Sequence, residues 1–161
     1  MSMLKRCLNY LKQNGVAYSH SIHRPAYTAL DVASADRTPA HTMIKTVIYR
    51  SDKGYGMLLA PADCSVDFTE VCRLLGLVSV RLASESELAA LFPDCEVGAM
   101  PALGNLFDLP VLLDESLATT QFIAFNGGTH QDVIHMSSAD FHRLVNPLVA
   151  AFAYREEMMP R

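Results

Sequence analysis

No apolar run in the 161 residues approaches the roughly 20 consecutive positions that a membrane-spanning helix needs. The first fourteen residues carry Lys5, Arg6 and Lys12, without the apolar block and small-residue cleavage site of a signal peptide. These two absences lead to the expectation of a cytoplasmic protein. The four cysteines, Cys7, Cys64, Cys72 and Cys95, form no C-x-x-C pair, and no Cys or His spacing suits a zinc site. Reduced thiols are expected, with Cys7 and Cys72 as small core residues on apolar helix stripes. Repeats, charge runs, low-complexity tracts and Gly/Ser/Pro-rich linkers are absent, so one domain over 1–161 is expected. There is no GxGxxG, no Walker loop and no G-x-S-x-G, which removes the common dinucleotide, P-loop and serine-hydrolase readings. Positive charge is not in excess either. A formal charge of -4 excludes a protein that coats nucleic acid by charge, but permits one that touches only its end.

Half of the residues are apolar, which is enough for a substantial core. Leu4, Cys7, Leu8 and Leu11 recur at helical spacing and predict a helix over 3–13, stopped by Gly15. Thr28 with Asp31 predicts the cap of a second helix. Residues 42–50 are rich in β-branched side chains and read as a strand, turned by Asp52-Lys53-Gly54 into another over 56–60. A helix over 67–75 ends at Gly76. A strand over 78–82 precedes a Ser84/Glu87 capping box, whose helix stops at Phe92-Pro93. Strands follow at 111–113, 122–125 and 133–136. Ser138 is expected to cap a helix to Val145, and Pro147 to start a final one. Helices and strands mix without sustained βαβ alternation. The order predicts an α+β fold with a mixed, largely antiparallel sheet flanked by helices.

Lys45 stands mid-strand, with Met43, Val47 and Tyr49 on its face by period two. Burying an unpaired ammonium is costly. The residue is therefore either an edge lysine with its tip in water or an ammonium aimed into a pocket at a phosphate or oxyanion. The stretch 96–104, EVGAMPALG, has two glycines and a proline, and reads as a plain connection or as a rigid loop close to a ligand. Asn126-Gly127-Gly128-Thr129-His130 reads as a hairpin turn or as glycine amides and polar groups lining a site. Asp114-Glu115 suits capping better than paired acid–base work.

In order along the chain, HRPAYTALDVA (23–33), MIKTVIYR (43–50), MLLAPAD (57–63), the stretch 80–117 and FIAFNGGTHQDVIHMSSADFHRLV (122–145) resemble the YbaK/EbsC family of aminoacyl-tRNA deacylases. That domain is also the editing insertion of bacterial prolyl-tRNA synthetases. The resemblance covers nearly the whole chain. It implies a small free-standing trans-editing hydrolase of mischarged aminoacyl-tRNA, with no metal or other cofactor. Its partner would be the acceptor end of tRNA, brought by a synthetase or an elongation factor. The resemblance makes Lys45 the catalytic residue. It makes Tyr27, Thr46, Gly98, Ala99, Met100, Pro101, Gly127, Gly128 and His130 substrate-binding residues. One departure bears on specificity rather than on reaction class. The family loop is G-x-x-x-P, whereas only two residues separate Gly98 from Pro101, and Ala102 stands where proline is expected. With Met100 filling the pocket, a small amino acid is the expected substrate. The competing class is a non-catalytic module that holds an aminoacyl or nucleotide ligand or docks on a synthetase.

Overall fold

The computed structural model describes residues 1–155. The chain order is α1 (Met3–Gln13), β1 (Tyr18–Ile22), α2 (Ala29–Asp36), β2 (Ile44–Ser51), β3 (Gly54–Pro61), β4 (Ser65–Val66), α3 (Phe68–Leu75), β5 (Val80–Leu82), α4 (Glu85–Leu91), β6 (Val111–Asp114), α5 (Glu115–Ala118), β7 (Phe122–Asn126), β8 (Asp132–Ser137), α6 (Ser138–Val145), β9 (Leu148–Ala150) and β10 (Ala153–Tyr154). The strands form a five-stranded sheet ordered β5-β2-β3-β6-β9, a three-stranded sheet β1-β8-β7, and the short pair β10-β4. Only β3-β6 and β6-β9 are parallel ladders. The expected mixed, largely antiparallel α+β architecture is present. Among the described residues no helix is long and apolar enough to cross a membrane.

The local chemistry explains most boundaries. Thr28 Oγ1 accepts from Asp31 N at 3.1 Å and starts α2. Ser84 and Glu87 exchange both capping-box bonds at α4. Arg81 and the Ser84 amide hold the Glu87 carboxyl well below the usual carboxylate range. On α1, Met3, Cys7 and Leu11 are buried, with Leu4 and Leu8 packed beside them. Burial pushes the Cys7 thiol up to about 12. Cys72 is only half-buried on α3, so it is less of a core residue than expected.

Two expectations need correction, and one element was not expected at all. The final helix from Pro147 is absent over the described residues; any part past 155 lies outside them. Residues 148–150 instead extend β6 in parallel, and 153–154 pair with β4. Asp114 Oδ1 accepts from Phe152 N at 3.0 Å and Ala153 N at 2.9 Å, so tertiary bonds capture the backbone that a helix would have used internally. The α6 cap is Ser137 rather than Ser138, its side chain accepting from Asp140 N. The polar segment YSHSI forms an edge strand, β1, on β8.

Candidate functional site

The site is a gap in the hydrogen bonding of β2. The two-residue turn Asp52-Lys53 makes Ser51 and Gly54 a bonded pair. By alternation, Tyr49, Val47 and Lys45 also bond to β3, while Ile48, Thr46 and Ile44 turn their backbone groups to the other edge. The Ile48 carbonyl there accepts from Ala83 N at 2.9 Å. On that edge β5 pairs only with 49–51, and β7 meets β2 only at the parallel bridge Met43↔Ala124. Between these two contacts the strands splay, and Thr46 presents its N–H and C=O to the gap.

A cavity of about 360 Å³ fills it, lined by Tyr27, Thr28, Lys45, Thr46, Leu88, Gly98, Met100 and Asn126 among others. This is the size of a small-ligand site. Met100, 4% exposed, forms part of its wall and of the main core. The Asn126 Oδ1 is buried and has no hydrogen-bond partner among the described residues.

Lys45 sits where two apolar clusters part. On its face, Met43 belongs to the cluster around Val32 and Ala124, and Tyr49 to the one around Leu58 and Phe152. Ile44 and Ile48, on the opposite face, enter the main core. The half-buried lysine donates from Nζ to the Cys64 carbonyl. It also lines a second, larger and more polar cavity of about 530 Å³ with Leu30, Asp63, Ser65 and Arg155. The neighbouring Cys64 thiol is not a thiolate at neutral pH, since burial and then Asp63 raise it to about 11.

The two glycine segments expected at the site are zipped together. Glu96 N donates to Gly128 O at 2.9 Å, and Gly128 N to Ala99 O at 3.1 Å. Ala99 N donates to Glu96 O, and Gly127 N to Asp132 O. These amides are therefore spoken for by backbone carbonyls. Gly98, at φ +91, leaves room for His130, whose Cε1 would lie 3.5 Å from an added Cβ. Tyr27 covers His130 with ring centroids 4.8 Å apart. Gly127 and Gly128 are buried beneath α1, as Ala99 and Pro101 are buried in the loop beside them.

A Cβ on Gly128 would stand 2.6 Å from Met3 Cβ, at φ +95. Gly128→Ala is expected to destabilise the fold by about 2–4 kcal/mol through overpacking and backbone strain. Urea unfolding checks this, and a loss under about 1 kcal/mol would show that α1 yields easily.

The structure thus brings Tyr27, Lys45, Thr46, Gly98 and Met100 to one cavity. It places Ala99, Pro101, Gly127, Gly128 and His130 in the layer behind it. Reasoning from sequence had not singled out Asn126 as a lining residue. Asn126 does open the glycine turn that was read as lining a site, so its signal was the first polar side chain of that turn.

The model of the aminoacyl-tRNA editing domain matches residues 23–144. The chain is 32% identical over 75 residues to a proline–tRNA ligase of Bacillus cytotoxicus, and 29% identical over 80 residues to one of Bacillus cereus. Those segments are 47% and 50% of this chain but only 13% and 14% of the ligases. Among solved structures, a candidate trans-editing enzyme for prolyl tRNA synthetase superposes with a TM-score of 0.82 at 22% identity, covering 96% of this chain and 98% of that one. A scaffold from an epitope-grafting study gives 0.81 at 23% identity, with the same coverage. With three quarters of its length inside the matched region, the chain belongs to the aminoacyl-tRNA editing domain family.

Proposed function

We propose that this chain hydrolyses the ester between a small amino acid and the terminal ribose of a mischarged tRNA. The observation that carries the reading is the position of Lys45. It lies on the boundary between a cavity walled by Met100 and an open polar cavity that reaches Arg155. An aminoacyl group fits the first, and the phosphate of its adenosine fits the ammonium at the boundary.

The ester is already activated, so positioning and electrostatics suffice. The Gly127 and Gly128 amides are engaged by backbone carbonyls and the Gly98 amide by the Met100 sulfur, which favours the Thr46 N–H at the open strand edge as the donor to the ester carbonyl. One well-placed donor of this kind is worth about 3–4 kcal/mol in the transition state. Asn126 Oδ1, a buried acceptor, suits the substrate's α-ammonium. Water adds to the carbonyl carbon, with the neighbouring ribose hydroxyl as a hydrogen-bond partner that holds it in place. The C–O bond then breaks and the ribose oxygen takes the proton. Among the described residues no group of three His, Cys, Asp or Glu is placed to hold a metal ion.

Multiple-turnover deacylation of a panel of mischarged tRNAs tests the reading. Turnover of at least one small aminoacyl-tRNA is expected. Tight binding without turnover across the panel would establish the non-catalytic module instead.

Met100→Ala is expected to raise kcat/KM for larger aminoacyl-tRNAs by about 10- to 200-fold relative to alanyl-tRNA, the range that a methylene-scale change of pocket allows. The truncation costs about 2–5 kcal/mol of stability, so the assay must run well below the variant's Tm. An unchanged ranking of alanyl-, seryl-, threonyl- and larger substrates would place specificity elsewhere.

A further inference from the structure

We propose that the cleft next to the Lys45 cavities binds the unpaired nucleotides preceding the aminoacylated adenosine, with Phe122 as a stacking platform and Arg37 and Arg155 as phosphate contacts. The proposal rests on the deacylase reading and extends it to a surface outside the reacting centre.

Continuity comes first. Asp63, Cys64 and Arg155 line both the open cavity at Lys45 and a larger cleft of about 840 Å³. A strand with its last phosphate at Lys45 and its amino acid against Met100 leaves through that opening and meets the cleft next.

The cleft has the two components that single-stranded nucleic acid needs, a π-face and cations. Phe122 lines it and is 58% exposed, while Ile123, Ala124 and Phe125, which follow on β7, are buried. Arg37 and Arg155, both exposed, line it together with His41 and His135. Asp63 is the only carboxylate among the described lining residues, and Arg155 pairs with it at 3.3 Å. The Asp36 carboxylate behind the wall is turned inward to His135, Ser21 and Thr38. Glu115 opens on the adjoining cavity rather than on this one. Among the described residues the cleft thus sets two arginines against one carboxylate.

Arg37 adds an independent sign. It ends α2 at φ 58, a left-handed position that glycine or asparagine normally fills. An arginine there bears backbone strain and presents its guanidinium to the cleft.

The test uses the intact protein and three probes: a mischarged tRNA, the corresponding aminoacyl-adenosine, and an uncharged single-stranded RNA ending in CCA. Fluorescence anisotropy of the RNA reads the cleft without catalysis. Phe122→Ala is expected to weaken RNA binding by roughly 5- to 150-fold, the worth of one stacked base. It should also lower the ratio of kcat/KM for tRNA over aminoacyl-adenosine by a similar factor. Arg37→Asn, which suits the left-handed backbone, should flatten the slope of log K against log salt by about 0.7, one single-strand phosphate. Wild-type protein that does not bind the RNA, or variants that keep both its affinity and the substrate ratio, would overturn the proposal. Failure of the deacylase reading looks different, since wild-type protein would then turn over neither ester whatever the RNA result.

Discussion

Lys45→Met is expected to lower kcat/KM for deacylation by about 100- to 1,000-fold while the protein stays folded, the scale of losing one directed electrostatic contact in a transition state. Methionine keeps the apolar stem that passes between the two clusters and removes only the charged tip. The native ammonium is half-buried and already oriented by the Cys64 carbonyl, so it meets a phosphate with little rearrangement. Lys45→Arg is not expected to rescue. A planar, bulkier guanidinium does not replace a compact point charge in a narrow gap. Steady-state kinetics with purified variants, together with a thermal melt, supply the check. A folded Lys45→Met protein within tenfold of wild type would remove the lysine from the mechanism.

Asp114→Ala is expected to cost about 3–5 kcal/mol of stability and roughly 10 °C in Tm. Asp114 is 4% exposed, and its carboxylate is shared by three backbone amides. Oδ1 takes Phe152 N and Ala153 N; Oδ2 takes Ser116 N at 3.2 Å and the Ser116 hydroxyl at 2.5 Å. Alanine would leave the amides without acceptors, and buried unsatisfied amides carry the full desolvation penalty. Because the same carboxylate ties down the segment that carries Arg155, RNA affinity should fall with stability. Asp114→Asn keeps an acceptor but turns an NH2 toward donors, so it should lie between the two. A loss under about 1 kcal/mol on denaturant unfolding would mean that the C-terminal segment is held by other means.

Where local chemistry decides the structure, the sequence was readable. The caps at Thr28 and Ser84, the stop at Gly76 and the β2–β3 hairpin follow from side chains acting on their own backbone. Where a distant group decides, it was not. The segment after Pro147 is alanine-rich and would suit a helix, yet the free edge of β6 and the Asp114 carboxylate claim its backbone. YSHSI has too few apolar residues to announce a strand, and β8 supplies the reason for it.

The site divides in the same way. Lys45 stood out because a charge on an apolar strand face demands a reason. The cavity itself arises from strands that fail to pair, and no residue pattern marks a missing ladder. The glycines at 127 and 128 were conspicuous for a packing reason, the close approach of Met3 and Leu4.

The splay of β2 and β7 from the bridge Met43↔Ala124 has the geometry of a wedge with its vertex at two buried residues. Thr46 lies three residues from that vertex, about 10 Å along an extended strand. A rotation of only 10° there would open the mouth by roughly 2 Å, about one methylene. Substrate size can therefore be tuned by repacking Met43, which lines neither the wedge-shaped cavity nor the cleft beside it. Selection has a lever on the pocket that leaves every residue touching the ligand unchanged.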